Sequence, residues 1–192
     1  MNYLAHAYFS HNEPATIVGN LVSDFIKGKK QYDYPPEIQK GIKLHRAIDT
    51  FTDAHPAVAE AKKVFRPHYR LYAGAFVDVA FDYFIANDIN LFATEQALAQ
   101  FAETAYAGLR LHSEWIPEMA RGYFERMQEQ NWLYHYRSIW GIQKSFGGIV
   151  YRSAHLTDSA TAATLFEDNI SILQQHYDNF IPGLIELVER WG

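Results

Sequence analysis

The chain of 192 residues contains no cysteine. That absence excludes disulfides, thiolate zinc sites, iron–sulfur clusters and a cysteine nucleophile together, so any metal must be held by His, Asp, Glu or water. No apolar run approaches the roughly 20 residues needed to cross a bilayer. The opening MNYLAHAYFSHNEP lacks the basic n-region of a secretory signal. A soluble, cytoplasmic protein is the expectation, with no membrane partner. Common catalytic signatures are also missing: there is no P-loop, G-x-S-x-G elbow, H-E-x-x-H or dinucleotide fingerprint. No Glu is followed three residues later by His, which excludes a ferritin-like di-metal bundle. Basic charge is scarce, with 17 Lys and Arg against 22 Asp and Glu and a net charge of −5. Nucleic-acid binding usually leaves a basic footprint, so no nucleic-acid partner is expected.

Apolar residues are plentiful, at 48% of the chain with 16% aromatic, enough for one substantial core. Composition does not shift along the chain, and residues 1–192 are expected to form a single domain. Ile17, Leu21, Val22, Phe25 and Ile26 recur at helical spacing, as do Phe76, Val79, Ala80 and Tyr83. The pattern predicts an all-α, single irregular helical domain. Its helices fall near residues 2–10, 14–27, 36–53, 57–66, 69–87, 94–112, 117–130, 138–152 and 158–190. Pro35-Pro36, His55-Pro56, Pro67 and Pro117 punctuate this series. Pro182-Gly183 predicts a kink or break in the last helix.

Four segments carry candidate chemistry. In Gly41–Asp53, the residues His45, Asp49 and Asp53 follow at i, i+4 and i+8 and share one helix face. A polar stripe facing water is the alternative, with Ile42, Leu44, Ile48 and Phe51 buried on the other side. Asp78 and Asp82 stand one turn apart inside the apolar run Phe76–Ile85. Like charges at that spacing repel, the more so when desolvated, and need a cation beside them. Asn20 and Asp24 repeat the spacing on another apolar helix, and His6 lies among apolar neighbours. Taken singly, each is also compatible with a satisfied buried residue. Burying several isolated acids is costly, however, and the conjunction points to a metal site. A His/Asp donor set without thiolates suits Mn²⁺, Mg²⁺, Fe²⁺ or Zn²⁺. Two local basic patches, Lys27-Gly28-Lys29-Lys30 and Lys62, Lys63, Arg66 and Arg70, stand out against the acidic total. Either is also compatible with a solvated face.

These residues resemble the acyl carrier protein phosphodiesterases. The likeness begins at Met1-Asn2-Tyr3-Leu4-Ala5-His6 and continues through Gly19-Asn20-Leu21 to Asp24-Phe25. It is most specific over Gly41-Ile42, Leu44-His45-Arg46, Ile48-Asp49 and Thr52-Asp53. Asp78, Asp82, Trp132-Leu133 and Tyr136-Arg137 extend it. The family is similar to a divergent branch of the HD-type metal phosphohydrolases, which implies an HD-like helical fold. That superfamily is marked by an adjacent His-Asp pair, and this chain has no His-Asp dipeptide.

The resemblance implies hydrolysis of the phosphodiester between 4′-phosphopantetheine and a serine of holo-acyl carrier protein. It further implies a divalent metal, manganese in preference to Mg²⁺ or Fe²⁺, held by a subset of His6, Asp24, His45, Asp49 and Asp78. Asp24 or Asp82 would orient or deprotonate the attacking water. Arg46 would neutralise phosphate charge or else pair with a nearby acid, and Asp53 would cap or brace the site. Acyl carrier proteins are small and acidic, so Lys27, Lys29, Lys30, Arg66 and Arg70 become candidate partner-binding residues. The competing expectations are a metal phosphohydrolase of another phosphodiester or nucleotide, and a non-catalytic helical carrier-binding module.

Overall fold

Proline sets three helix starts in the computed structural model, which describes residues 1–191. Pro14, Pro36 and Pro56 stand at the first position of α2 (Pro14–Val22), α3 (Pro36–Ala54) and α4 (Pro56–Tyr69). There the missing N–H has no intrahelical partner to lose. They follow α1 (Tyr3–Tyr8). His55, extended because Pro56 follows it, separates α3 from α4, and its Nδ1 accepts the Ala57 N–H at 3.3 Å. The remaining helices are α5 (Ala73–Asn87), α6 (Glu95–Leu111), α7 (Glu118–Glu129), α8 (Trp132–His135), α9 (Ile139–Arg152), α10 (Ala160–Asp168) and α11 (Ile170–Glu189). No strand occurs among the described residues, so the all-α expectation holds. None of these helices is long and apolar enough to cross a membrane.

Three boundaries differ from the spacing. The second helix ends at Val22, short of residue 27; Ser23–Phe25 form a 3-10 turn and Ile26 is extended. The change of direction leaves Asp24 on a turn instead of a helix face. Pro67 lies inside α4, because its fixed φ suits a helix and the bond it forfeits is at an exposed turn. The chain turns at Arg70, whose φ of 46° and ψ of −114° no helix accommodates. Near the C-terminus, the division comes at Asn169, whose side chain donates to Leu165 O at 2.8 Å. Helix α11 runs through Pro182 unbroken.

An aromatic network ties the C-terminal helices to α4 and α5. Phe65 stacks on Phe76 at 5.6 Å, Phe146 of α9 meets Phe76 at 5.1 Å, and Phe180 of α11 meets Phe81 at 5.3 Å. These rings are fully buried, each contributing roughly 1.5–3 kcal/mol by leaving water.

The contact that positions the site is between α2 and α3. A Cβ at Gly19 would stand 2.0 Å from Ile38 O, and one at Gly41 would stand 2.2 Å from Thr16 O. Only glycine at both positions lets the two backbones approach this closely. Asp24 follows immediately after α2, and His45 lies one turn beyond Gly41, so this crossing brings them together.

Candidate metal centre

His6 and His45 come from sequence positions 39 apart and meet face to face, with ring centroids 4.0 Å apart and planes 19° from parallel. His6 is fixed through its backbone. Asp82, wholly buried on α5, accepts the N–H groups of Leu4 at 2.8 Å and Ala5 at 3.1 Å, the unpaired donors of the first turn of α1. Asn20 on α2 donates to His6 O at 2.9 Å and to Ser10 Oγ at 3.0 Å.

Asp49 joins the two imidazoles. Its Oδ2 is 3.1 Å from His45 Nε2, one turn earlier on α3, and its Oδ1 is 3.2 Å from His6 Nε2. Asp24 Oδ1 also takes the His45 Nε2 proton at 3.1 Å, while 64% of its side chain stays open to solvent. The Met1 α-amino group stands between Asp49 Oδ1 at 3.2 Å and Asp78 Oδ1 at 3.4 Å, linking Asp78 to the cluster through a cation.

The ionisation pattern follows from these contacts. Burial alone would lower His45, but Asp24 and Asp49 outweigh it and raise its pKa to about 9. Burial, then the charge on His45, lowers His6 to about 4. Asp24 is held below the ordinary carboxylate value by its bond to His45. Burial would raise Asp49, yet His45, His6 and the Met1 amine hold it far below that value. Burial raises Asp78, the amine opposing it, and lifts Asp82 to about 7. The pair of histidines thus carries one charge, on the ring that touches two carboxylates.

The donor set fits a divalent cation. Ligand atoms of His6, His45 and Asp49 lie within 4.8 Å of one another. His6 Nδ1 and His45 Nδ1 are buried without a hydrogen-bond partner, and the only group facing His6 Nε2 is the Asp49 carboxylate at 3.2 Å. Unpartnered buried nitrogens are costly unless something else engages them. Two imidazoles and a carboxylate suit a borderline or hard ion.

Other expected site residues are placed apart from this cluster. Asp82 has both oxygens engaged by backbone N–H groups, so it braces α1 and is removed from water. Arg46, exposed one residue beyond His45, donates to Gln31 Oε1 at 2.7 Å and Ile26 O at 3.4 Å. Asp53 turns to Lys62, 3.0 Å away. Lys27, Lys29 and Lys30 are exposed on the segment after Asp24. Arg66 and Arg70, with Lys62, line a cleft of about 580 Å³ whose wall includes Asp78. The Met1 amine, Tyr3 and Tyr123 were not legible as neighbours of the site. Nothing in residue spacing signals a chain terminus or a ring contact between α1 and α7.

The family model described as acyl carrier protein phosphodiesterase matches residues 1–184. The chain belongs to that family. Its relatives include an acyl carrier protein phosphodiesterase of Enterobacter sp. (strain 638), 32% identical over 96% of each chain. One from Photorhabdus laumondii is 29% identical over 94% of this chain and 87% of its own. One from Yersinia pestis is 29% identical over 99% of this chain and 98% of its own. No solved structure matches. In this family member the segments quoted for the resemblance, Met1–His6, Gly19–Phe25 and Gly41–Asp53, are those that build the centre.

Proposed function

We propose that the protein hydrolyses the phosphodiester linking 4′-phosphopantetheine to the serine of holo-acyl carrier protein, acting in the cytoplasm. The observation that carries this reading is the convergence of His6, His45 and Asp49, with Asp24 bonded to His45 yet open to solvent. The relatives' shared name supplies the substrate.

His6, His45 and Asp49 would hold a divalent cation, Mn²⁺ in preference to Mg²⁺ or Fe²⁺, with Asp78 beyond the Met1 amine. Such a cation supplies charge for the phosphoryl oxygens and lowers the pKa of water. Asp24, ionised and solvent-facing, is the group able to accept a proton from the attacking water. The hydroxide adds to phosphorus as the bond from phosphorus to the serine oxygen breaks, and the proton passes from Asp24 to that oxygen, leaving free 4′-phosphopantetheine and the apo-carrier. Arg46 orders the turn through Gln31 and Ile26, keeping Lys27, Lys29 and Lys30 beside Asp24. Kinship with the HD-type phosphohydrolases belongs to this reading, His45 and Asp49 one turn apart standing in for the adjacent pair.

The acidic carrier would meet the cleft of Lys62, Arg66 and Arg70. Leu71 stands 98% exposed on its rim, and Arg70 holds a backbone conformation unfavourable for any residue with a Cβ. Strain of this kind, next to an exposed leucine and clustered cations, supports a recognition surface.

The test is release of 4′-phosphopantetheine from holo-acyl carrier protein, followed by mass spectrometry on chelator-stripped and Mn²⁺-reloaded protein. Release that stops on stripping and returns with Mn²⁺ is the expected result. Release indifferent to chelation would remove the metal from the reading, and cleavage of generic phosphodiesters alone would remove the carrier.

A further inference from the structure

A phosphodiester carries a negative charge through the whole reaction, and a guanidinium is the side chain best shaped to hold it, through two parallel N–H donors. Arg46 is committed to Gln31 and Ile26, and Arg137 to Glu95 at 2.6 Å. Arg152 is placed differently. It is the last residue of α9, exposed, with its guanidinium carbon 5.5 Å from the centre of the Tyr123 ring. Among the described residues it has no ion pair and no hydrogen bond to a side chain. The cation–π contact therefore holds the guanidinium over that ring while leaving its donors unused.

Tyr123 packs on two residues that adjoin the metal centre in sequence. Its ring is 5.5 Å from that of Tyr3, which opens α1 three residues before His6, and 6.0 Å from that of Phe25, which follows Asp24. Burial, then Tyr123, raises the pKa of Tyr3; burial raises that of Tyr123, with Arg152 and the bond to Tyr3 opposing it. Asp24 and Arg152 both act on these two hydroxyls, with opposite sign. Through Tyr123 the unused guanidinium is thus one ring away from Phe25, the residue after the exposed carboxylate. A phosphoryl group beside Asp24 would enter that field.

We propose that Arg152 is the phosphate-binding residue of the site, its guanidinium held over Tyr123 and donating to a non-bridging oxygen of the diester. This rests on the phosphodiesterase reading above and gives the C-terminal half a part in the chemistry. The side chain is exposed and meets the partly buried Tyr123 ring only at its surface, so its removal is informative.

The experiment compares wild type, Arg152→Ala and Arg152→Lys on holo-acyl carrier protein and on bis(p-nitrophenyl) phosphate. A calorimetric titration with 4′-phosphopantetheine and one with Mn²⁺ accompany them. Arg152→Ala should lose about a hundredfold in kcat/KM on both substrates, as removal of a charge-stabilising donor does. Lysine should recover little of the loss, and millimolar guanidinium should recover part of it in the alanine variant alone. Phosphopantetheine binding should weaken at least tenfold while Mn²⁺ affinity and Tm stay unchanged. Undiminished turnover, loss on holo-carrier only, or a parallel loss of Mn²⁺ affinity would each overturn the assignment. If wild type hydrolyses neither substrate but binds phosphopantetheine through Arg152, the phosphodiesterase reading fails and the anion site stands. If it does not bind either, both fail.

Discussion

His45 Nε2 lies 3.1 Å from both Asp24 Oδ1 and Asp49 Oδ2, so a single imidazole proton is shared between two carboxylates on two elements. Burial, then the charge on His45, holds the stacked His6 ring at about 4, while the two carboxylates hold His45 at about 9. A metal must displace the proton that this arrangement holds.

Metal uptake should therefore be proton-coupled. Below pH 9 the metal-free centre keeps His45 protonated, and coordination requires it neutral. Mn²⁺ affinity should rise with pH between about 6 and 9, with close to one proton released per ion at pH 7. Calorimetry in buffers of different ionisation enthalpy measures that number. His45→Ala should weaken Mn²⁺ binding more than the 10–100-fold typical of losing an outer-shell partner. Release of no proton would show that His45 is not a ligand.

Asp82 gives a separate pH signature. Its pKa in the folded chain, about 7, exceeds the ordinary value of 3.8. Between these values the folded state binds more protons than the unfolded one, so this group's contribution is fully present below pH 4 and is lost as pH rises towards 7. Asp82→Asn should abolish that slope. It should also cost about 1–3 kcal/mol, because one of the Leu4 and Ala5 N–H groups then faces an NH₂. Urea unfolding across pH 4–8 checks both. An unchanged slope would assign it to another group.

The Gly19/Gly41 crossing is testable by one methyl. In Gly41→Ala the new Cβ would meet Thr16 O and the Asn20 N–H, backbone atoms that cannot step aside. A loss of about 1–3 kcal/mol is expected from overpacking. Because the same crossing presents Asp24 to His45, Mn²⁺ affinity should fall too. Gly122→Ala, where nothing stands within 4 Å, is the control and should leave both unchanged.

What spacing revealed and what it concealed divide along physical lines. His45 and Asp49 are legible because one helical turn separates them, and helix geometry alone puts them on one face. Asp53, the next in that register, obeys the same geometry yet pairs with Lys62, since a helix face says nothing about what lies opposite. Asp82 reads as a carboxylate needing a cation; burial and two backbone donors 77 and 78 residues away satisfy it instead, a pairing without sequence pattern. Asp24 was expected on a helix and found on a 3-10 turn, and that turn is what opens it to solvent. Pro182 was expected to kink or break α11; no break occurs, because a proline forfeits only one bond, which the surrounding packing of Tyr177, Phe180 and Leu184 tolerates. The tertiary contacts, not propensity, decided each of these.

Charge reversal separates docking from chemistry. Arg66 and Arg70 line the cleft that reaches Asp78, while Lys29 and Lys30 stand on the segment after Asp24, so an acidic carrier bound across the centre would be drawn by both. Exposed charges steer association and are screened beyond about 8–10 Å at physiological salt. Arg66→Glu with Arg70→Glu should therefore lower kcat/KM for holo-carrier at least about tenfold at low ionic strength, mostly through KM, and the deficit should shrink as salt is added. Lys29→Glu with Lys30→Glu should act in the same direction. Neither pair should alter cleavage of bis(p-nitrophenyl) phosphate, which has no acidic body to steer. Equal loss on both substrates would show that these cations support the fold or the centre itself, and that the carrier approaches from another side.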